Sequence, residues 1–219
     1  MKILILLAFA MIANVFADEW QEKLCGDKSL SYCINYYDRQ CEAKNYGACS
    51  FLGVLYNEQK QYSQAKKYYE MVCDNANSKD TFRVEFIDGR VLELPILQFM
   101  QASCGGLGNF YYNGYGVRQS HEKAFQYFNK ACDLGSGKGC SSVGFAYYDG
   151  KGVKKDLKSA IKFFAKACEL GNNNGCVMLG LSYQYGEGVT QNLSKAKELY
   201  GKACDLGDQK GCDYYKELK

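Results

Sequence analysis

The 219-residue chain sets 27 lysines and arginines against 24 aspartates and glutamates, with a single histidine, a single proline and 12 cysteines. Charges of both signs are interspersed and there is no basic run or motif, so nucleic acid is not an expected partner. Without a Cys-x-x-Cys pair, and with His121 as the sole histidine, the cysteines do not read as zinc ligands, and no metal or cofactor is expected.

The chain opens with Lys2, an apolar run and small residues ending at Ala17, the pattern of a cleaved secretory signal peptide over residues 1–17. The run is too short for a membrane span, and no later segment qualifies. The expectation is a secreted or periplasmic chain over 18–219, with no membrane span and no need of a second copy. Exported chains meet an oxidising compartment, where an even set of cysteines reads as a disulfide framework.

Residues 18–48 form a partial unit. Aligning Cys41 with Cys168 lays Tyr36-Tyr37 on Phe163-Phe164, which makes this stretch the second helix of a helical pair whose first is missing. Residues 49–103 begin a unit that keeps Leu52-Gly53 and Tyr56 but is four residues short at the turn. Within it, 74–103 contains two β-prone runs about Asp88-Gly89, a strong hairpin signal, closed by Pro95. Such a hairpin is marginal alone and must pack on the helices or on a partner; binding feature and decoration both remain open.

Then 104–139, 140–175 and 176–211 repeat at a period of 36 residues. Leu107, Val143 and Leu179 align, as do Gly108, Gly144 and Gly180, the loops Gly114–Val117, Gly150–Val153 and Gly186–Val189, and Ala124, Ala160 and Ala196. A fixed period of this length signals a stacked array. Each unit reads as a first helix (about Cys140 to Tyr148), a glycine turn, and a second helix. That second helix begins after a capping residue (Ser120, Asp156, Asn192) and ends at Gly135, Gly171 or Gly207. Ala160, Phe163, Phe164 and Ala167 form its buried side; lysines 154, 155, 158, 162 and 166 read as a solvated face. Residues 212–219 read as a capping helix.

Cysteines eight apart join one unit to the next: Cys41–Cys49, Cys132–Cys140, Cys168–Cys176 and Cys204–Cys212. Cys73–Cys104 is the same bond with the hairpin inserted in its loop, and Cys25 is assigned to Cys33 because the other ten are accounted for.

The pattern Leu-Gly-x-x-Tyr-x-x-Gly-x-Gly-Val, followed by Ala-x-x-Phe/Tyr-Phe/Tyr-x-Lys-Ala-Cys-x-Leu-Gly, resembles the Sel1-like repeat, a relative of the tetratricopeptide repeat. The added cysteine spacing is similar to that of the Helicobacter cysteine-rich protein family. The resemblance implies an all-α, right-handed α/α superhelical solenoid of disulfide-stapled repeats, carrying the small β-hairpin insertion. It also implies two roles, a binding scaffold and a penicillin-binding protein or weak β-lactamase.

For a scaffold, the first-helix positions that vary between units would line a groove: Asn109, Tyr112, Asn113, Phe145, Tyr148, Asp149, Gln184 and Tyr185. The expected partner is an extracellular or periplasmic peptide, protein or peptidoglycan fragment. A β-lactamase needs an activated nucleophile. Ser63–Lys66, Ser159–Lys162 and Ser194–Lys197 have Ser-x-x-Lys spacing, but Ser-Asp-Asn and Lys-Thr-Gly are absent, so no catalytic residue is assigned. His121 reads as packed against a helix. An envelope or host-interaction protein acting through its whole surface is a third reading with the same residues.

Overall fold

The structure, a computed structural model, describes residues 29–79, 81–85 and 91–218. The signal segment, Cys25 and the Asp88-Gly89 turn lie outside the described residues. Helices dominate, with one antiparallel strand pair, and the fold is an all-α array of helical hairpins. Two compact units meet in sequence between Ser103 and Cys104.

The first unit holds α1 (Leu30–Glu42), α2 (Tyr46–Glu58), α3 (Tyr62–Asn75), β1 (Thr81–Glu85), β2 (Val91–Pro95) and the start of α4 (Leu97–Asn113). Helix α1 is capped by Ser29, whose hydroxyl accepts from Tyr32 N, and buries Cys33, Tyr37 and Cys41. The short turn between α2 and α3 forces Lys60 to a φ of 58°, a left-handed conformation unusual for a side-chain-bearing residue. Across that turn Tyr69 lies on Gly53, with its ring 2.5 Å from where a glycine Cβ would stand.

The strands pair Thr81 with Pro95 and Glu85 with Val91, a register centred on residue 88. Pro95 does not merely close the insertion but is the last residue of β2, paired with Thr81, a sheet-end position where proline is tolerated. The hairpin packs on its own unit. Phe82 covers Gly47 so closely that no Cβ could fit, and meets Phe99 edge-on at 4.6 Å.

The second unit continues from α4 through α5 (His121–Asp133), α6 (Gly137–Asp149), α7 (Leu157–Glu169), α8 (Asn173–Tyr185), α9 (Leu193–Asp205) and α10 (Gln209–Glu217). The even-numbered helices are the first members of each pair and the odd-numbered ones the second. Within a pair, the aromatic ring of the second helix packs directly on the glycine of the first. Phe164 stands 2.6 Å from a Cβ built on Gly144, Tyr200 repeats this on Gly180 at 2.6 Å, and Phe128 packs likewise on Gly108. Leu107, Val143 and Phe164 are completely buried, and each such side chain contributes about 1.5–3 kcal/mol.

Between pairs, Gly139, Gly175 and Gly211 sit against Ala131, Ala167 and Ala203, which are themselves buried. Here the expectation from sequence is corrected: α6, α8 and α10 each begin three residues before Cys140, Cys176 and Cys212. The reason is capping. Ser136, Asn172 and Asp208 accept hydrogen bonds from Gly139 N, Gly175 N and Gly211 N, so glycine-rich runs that read as turn become the first helical turn. The caps of α5, α7 and α9 are Ser120, Asp156 and Asn192.

Disulfides join Cys41–Cys49, Cys132–Cys140, Cys168–Cys176 and Cys204–Cys212, with Cα–Cα distances of 4.8, 4.5, 4.6 and 4.5 Å. Cys33, Cys73 and Cys104 are also in disulfides, and no free cysteine occurs among the described residues. No described helix is long and apolar enough to cross a membrane.

Candidate functional site

The first helices of successive pairs lie side by side, and between α4 and α6, over the start of α5, they leave a cavity of about 210 Å³. Its apolar walls are Tyr112, Phe125, Phe128 and Phe145, with Ala124 and Ala146 between them. Its polar groups are Asn109, His121, Ser142, Asp149 and Lys151. Small-molecule sites generally start near 300 Å³. A cavity below that size suits one side chain of a longer ligand better than a whole drug-sized substrate.

Neighbouring loops reach back to form the rim. Lys151, from the glycine loop after α6, donates to Tyr112 Oη at 2.9 Å, lies over the Tyr112 ring at 5.4 Å and pairs with Asp149 at 3.4 Å. The hydrogen bond to Tyr112, more than the nearby Asp149, holds the Lys151 ammonium above its ordinary pKa. One unit further on the same loop position is Glu187, which accepts from Tyr148 Oη at 2.8 Å and pushes that phenol above its usual range. The loop residue between the two glycines thus meets the equivalent tyrosine of each pair, Lys151 at Tyr112 and Glu187 at Tyr148, and at Tyr148 Lys155 also lies over the ring at 5.6 Å.

Gly152 fixes this loop. At a φ of 74° it is in the left-handed region, and it packs so tightly on the His121 carbonyl that no side chain fits. Gly188 does the same on Leu157, the His121 equivalent, where a Cβ added to the glycine would stand 2.7 Å from Leu157 Cβ.

Of the eight expected groove residues, Asn109, Tyr112, Phe145 and Asp149 come together at the cavity. The other four do not. Asn113 donates to Asn109 O at 2.9 Å and finishes α4. Tyr148 is bonded to Glu187, Gln184 accepts from Tyr200 Oη at 2.5 Å, and Tyr185 stands out into solvent. Sequence alone missed Phe125, Phe128, Ser142 and Lys151; the last could have been found from its place between two glycines whose loop must fold over the preceding unit.

His121 is half-buried at the start of α5, with its ring 5.2 Å from that of Tyr112. Its Nδ1 is enclosed without a hydrogen-bond partner.

The Ser-x-x-Lys strings are engaged otherwise. Lys66 pairs with Glu70 at 2.8 Å, Ser159 donates to Asp156 at 2.6 Å within the cap of α7, and Lys197 lies over the Tyr215 ring at 5.4 Å. Among the described residues no cluster of histidine, cysteine, aspartate and glutamate could hold a metal ion.

Comparison with known proteins gives a consistent picture. The sequence profile of the Sel1 repeat matches residues 44–77, 102–136, 138–172 and 174–208. Among solved structures, the chain is similar to a protective antigen of uropathogenic Escherichia coli with an SLR fold. That match has 25% identity and a TM-score of 0.70, over 84% of this chain and 36% of that one. It is also similar to a Sel1 repeat protein from Oxalobacter formigenes, with 25% identity and a TM-score of 0.60, over 74% of this chain and 57% of that one. Helicobacter pylori cysteine rich protein B shares 37% identity over 53% of this chain and 90% of its own, with a TM-score of 0.47. The chain thus spans 36% and 57% of the first two relatives. No curated protein sequence gives a significant match.

Proposed function

Because the chain belongs to the Sel1 repeat family, whose repeats generally serve as protein-binding scaffolds, we propose that it binds an extended peptide segment, from a partner protein or a peptidoglycan stem, along the first helices of its second unit. The observation that carries this reading is the cavity between α4 and α6, where four residues that vary between units meet under a rim set by Lys151. Stacked repeats present such surfaces without moving, because each pair is fixed by its neighbours. Phe145, 37% exposed beside the fully buried Phe164, offers an aromatic contact to a ligand while its own helix is already held. The disulfides support an oxidising compartment, periplasmic or extracellular, as the place where this happens.

The test is selection of extended peptides, with peptidoglycan fragments in parallel, on the oxidised chain. The best ligand is then titrated against Tyr112→Ala and Phe145→Ala. Each substitution is expected to weaken binding roughly tenfold or more, as truncated anchors do. A ligand indifferent to both places binding elsewhere, and failure to select any ligand removes the reading.

A further inference from the structure

We propose that the outer side of α7 and the loop before it form a docking ridge for an acidic polysaccharide, separate from the groove. The repeats act as internal controls. From Asp149 to Lys166 the chain holds six lysines and two aspartates. The same stretch of the preceding unit, 113–130, holds two lysines and an arginine against one glutamate, and that of the following unit, 185–202, three lysines against two glutamates. Where this unit has Lys158 and Lys162, its neighbours have Glu122 and Gln126, or Ser194 and Glu198. The concentration of charge is therefore not required by the fold.

Lys154, Lys155, Lys158 and Lys162 are exposed, and Lys166 is half-buried. Lys158, Lys162 and Lys166 follow one another at i, i+4 and i+8, a line of charges about 6 Å apart along α7. Like charges at that spacing disfavour a helix, and no described carboxylate forms an ion pair with any of the five. Asp156 accepts from Lys158 N at 3.0 Å and Ser159 Oγ at 2.6 Å and interacts with Lys162 through charge alone, without an ion-pair contact. None of the five lines the α4–α6 cavity, and Lys155 alone touches a first helix, lying over the Tyr148 ring at 5.6 Å.

The chemistry favours one occupant. The one exposed large apolar side chain on this line is Leu170, one turn beyond Lys166, and a lone leucine gives a membrane surface little to insert. Arginine, the residue suited to planar two-point recognition of a fixed carboxylate, is absent from the stretch. A file of hydrated lysine point charges matches a flexible chain bearing carboxylates or sulfates at regular intervals.

The experiment measures retention of the oxidised full chain on heparin and its binding to alginate, as sulfated and carboxylated probes, over a range of salt. K154Q/K155Q/K158Q/K162Q is compared with K138Q/K195Q/K202Q/K210Q, which removes the same charge from lysines elsewhere. The ridge variant is expected to bind at least about tenfold more weakly, with the control close to the parent and circular dichroism unchanged in both. Equal losses in the two variants would reduce the effect to net charge and overturn the proposal. So would absence of binding to either polysaccharide at low salt, or tighter binding to anionic phospholipid vesicles than to both.

Discussion

Gly144 in α6 lies flush against Phe164 in α7, so that a Cβ on the glycine would stand 2.6 Å from the ring at both Cδ1 and Cε1. Glycine within a helix ordinarily costs about 1 kcal/mol relative to alanine. Here the sign should reverse. Gly144→Ala is expected to destabilise the oxidised chain by about 1–3 kcal/mol, the usual cost of overpacking a filled core. Gly105→Ala, on α4 with nothing within 4 Å of the added carbon, should stabilise by about 0.5–1 kcal/mol. Urea denaturation of both variants decides it; a neutral Gly144→Ala would mean the pairs are not held by this contact.

Two left-handed glycines separate backbone preference from packing. Gly207 has a φ of 85° and open space around it, whereas Gly152 has a φ of 74° and abuts the His121 carbonyl. Gly207→Ala should cost about 1–2 kcal/mol, the left-handed penalty alone. Gly152→Ala should cost clearly more in the same denaturation experiment, because the loop must also lift from the preceding pair. The reverse ranking is incompatible with the loop docking described above.

Each short disulfide loop closes over eight residues, which corresponds to about 2.5 kcal/mol in the chain-entropy treatment. Reduction should therefore lower the melting temperature sharply, and replacing Cys132 and Cys140 together by alanine should cost about 2–3 kcal/mol. A melting curve indifferent to reductant would show the bonds to be idle.

Acid should weaken the helix starts. Hydrogen bonds from Ser159 and from backbone N–H groups hold the Asp156 carboxyl below its ordinary pKa, and backbone and Ser120 hydrogen bonds do the same for Glu122. A carboxyl whose pKa is lowered by folding adds stability above its unfolded value and loses it as the pH falls through the folded one. Stability should thus decline below about pH 4. Asp156→Asn keeps the cap but not the charge, so its urea midpoint should fall less than the parent's between pH 5 and 3. Parallel declines in the two proteins would exclude Asp156 as a source.

Much of this was legible in the residues. The period, the glycine–aromatic frame and the caps Ser120, Asp156 and Asn192 are local signals that repeat, and the helical pairs follow from them. The starts of α6, α8 and α10 were not, because Ser136, Asn172 and Asp208 precede glycines that speak against a helix until the neighbouring Ala131, Ala167 and Ala203 demand the close approach. The cavity was half legible. Variation between units pointed to Asn109, Tyr112, Phe145 and Asp149, which share the face of successive first helices. Lys151 reaches the same place because its loop folds over the previous pair, with Gly152 on the His121 carbonyl 31 positions away, and its only local sign is its place between two glycines.

The disulfides straddle the boundaries between units instead of lying inside them, and this bears on how such a chain can change length. Deleting residues 140–175 would remove one cysteine from each of two bonds and bring Cys132 and Cys176 to the same eight-residue spacing that each had with its former partner. Duplicating the segment would create a new pair in the same way. Whole cassettes can therefore be lost or gained by recombination without stranding a thiol, and a redox-closed protein retains the freedom to lengthen or shorten its array one step at a time.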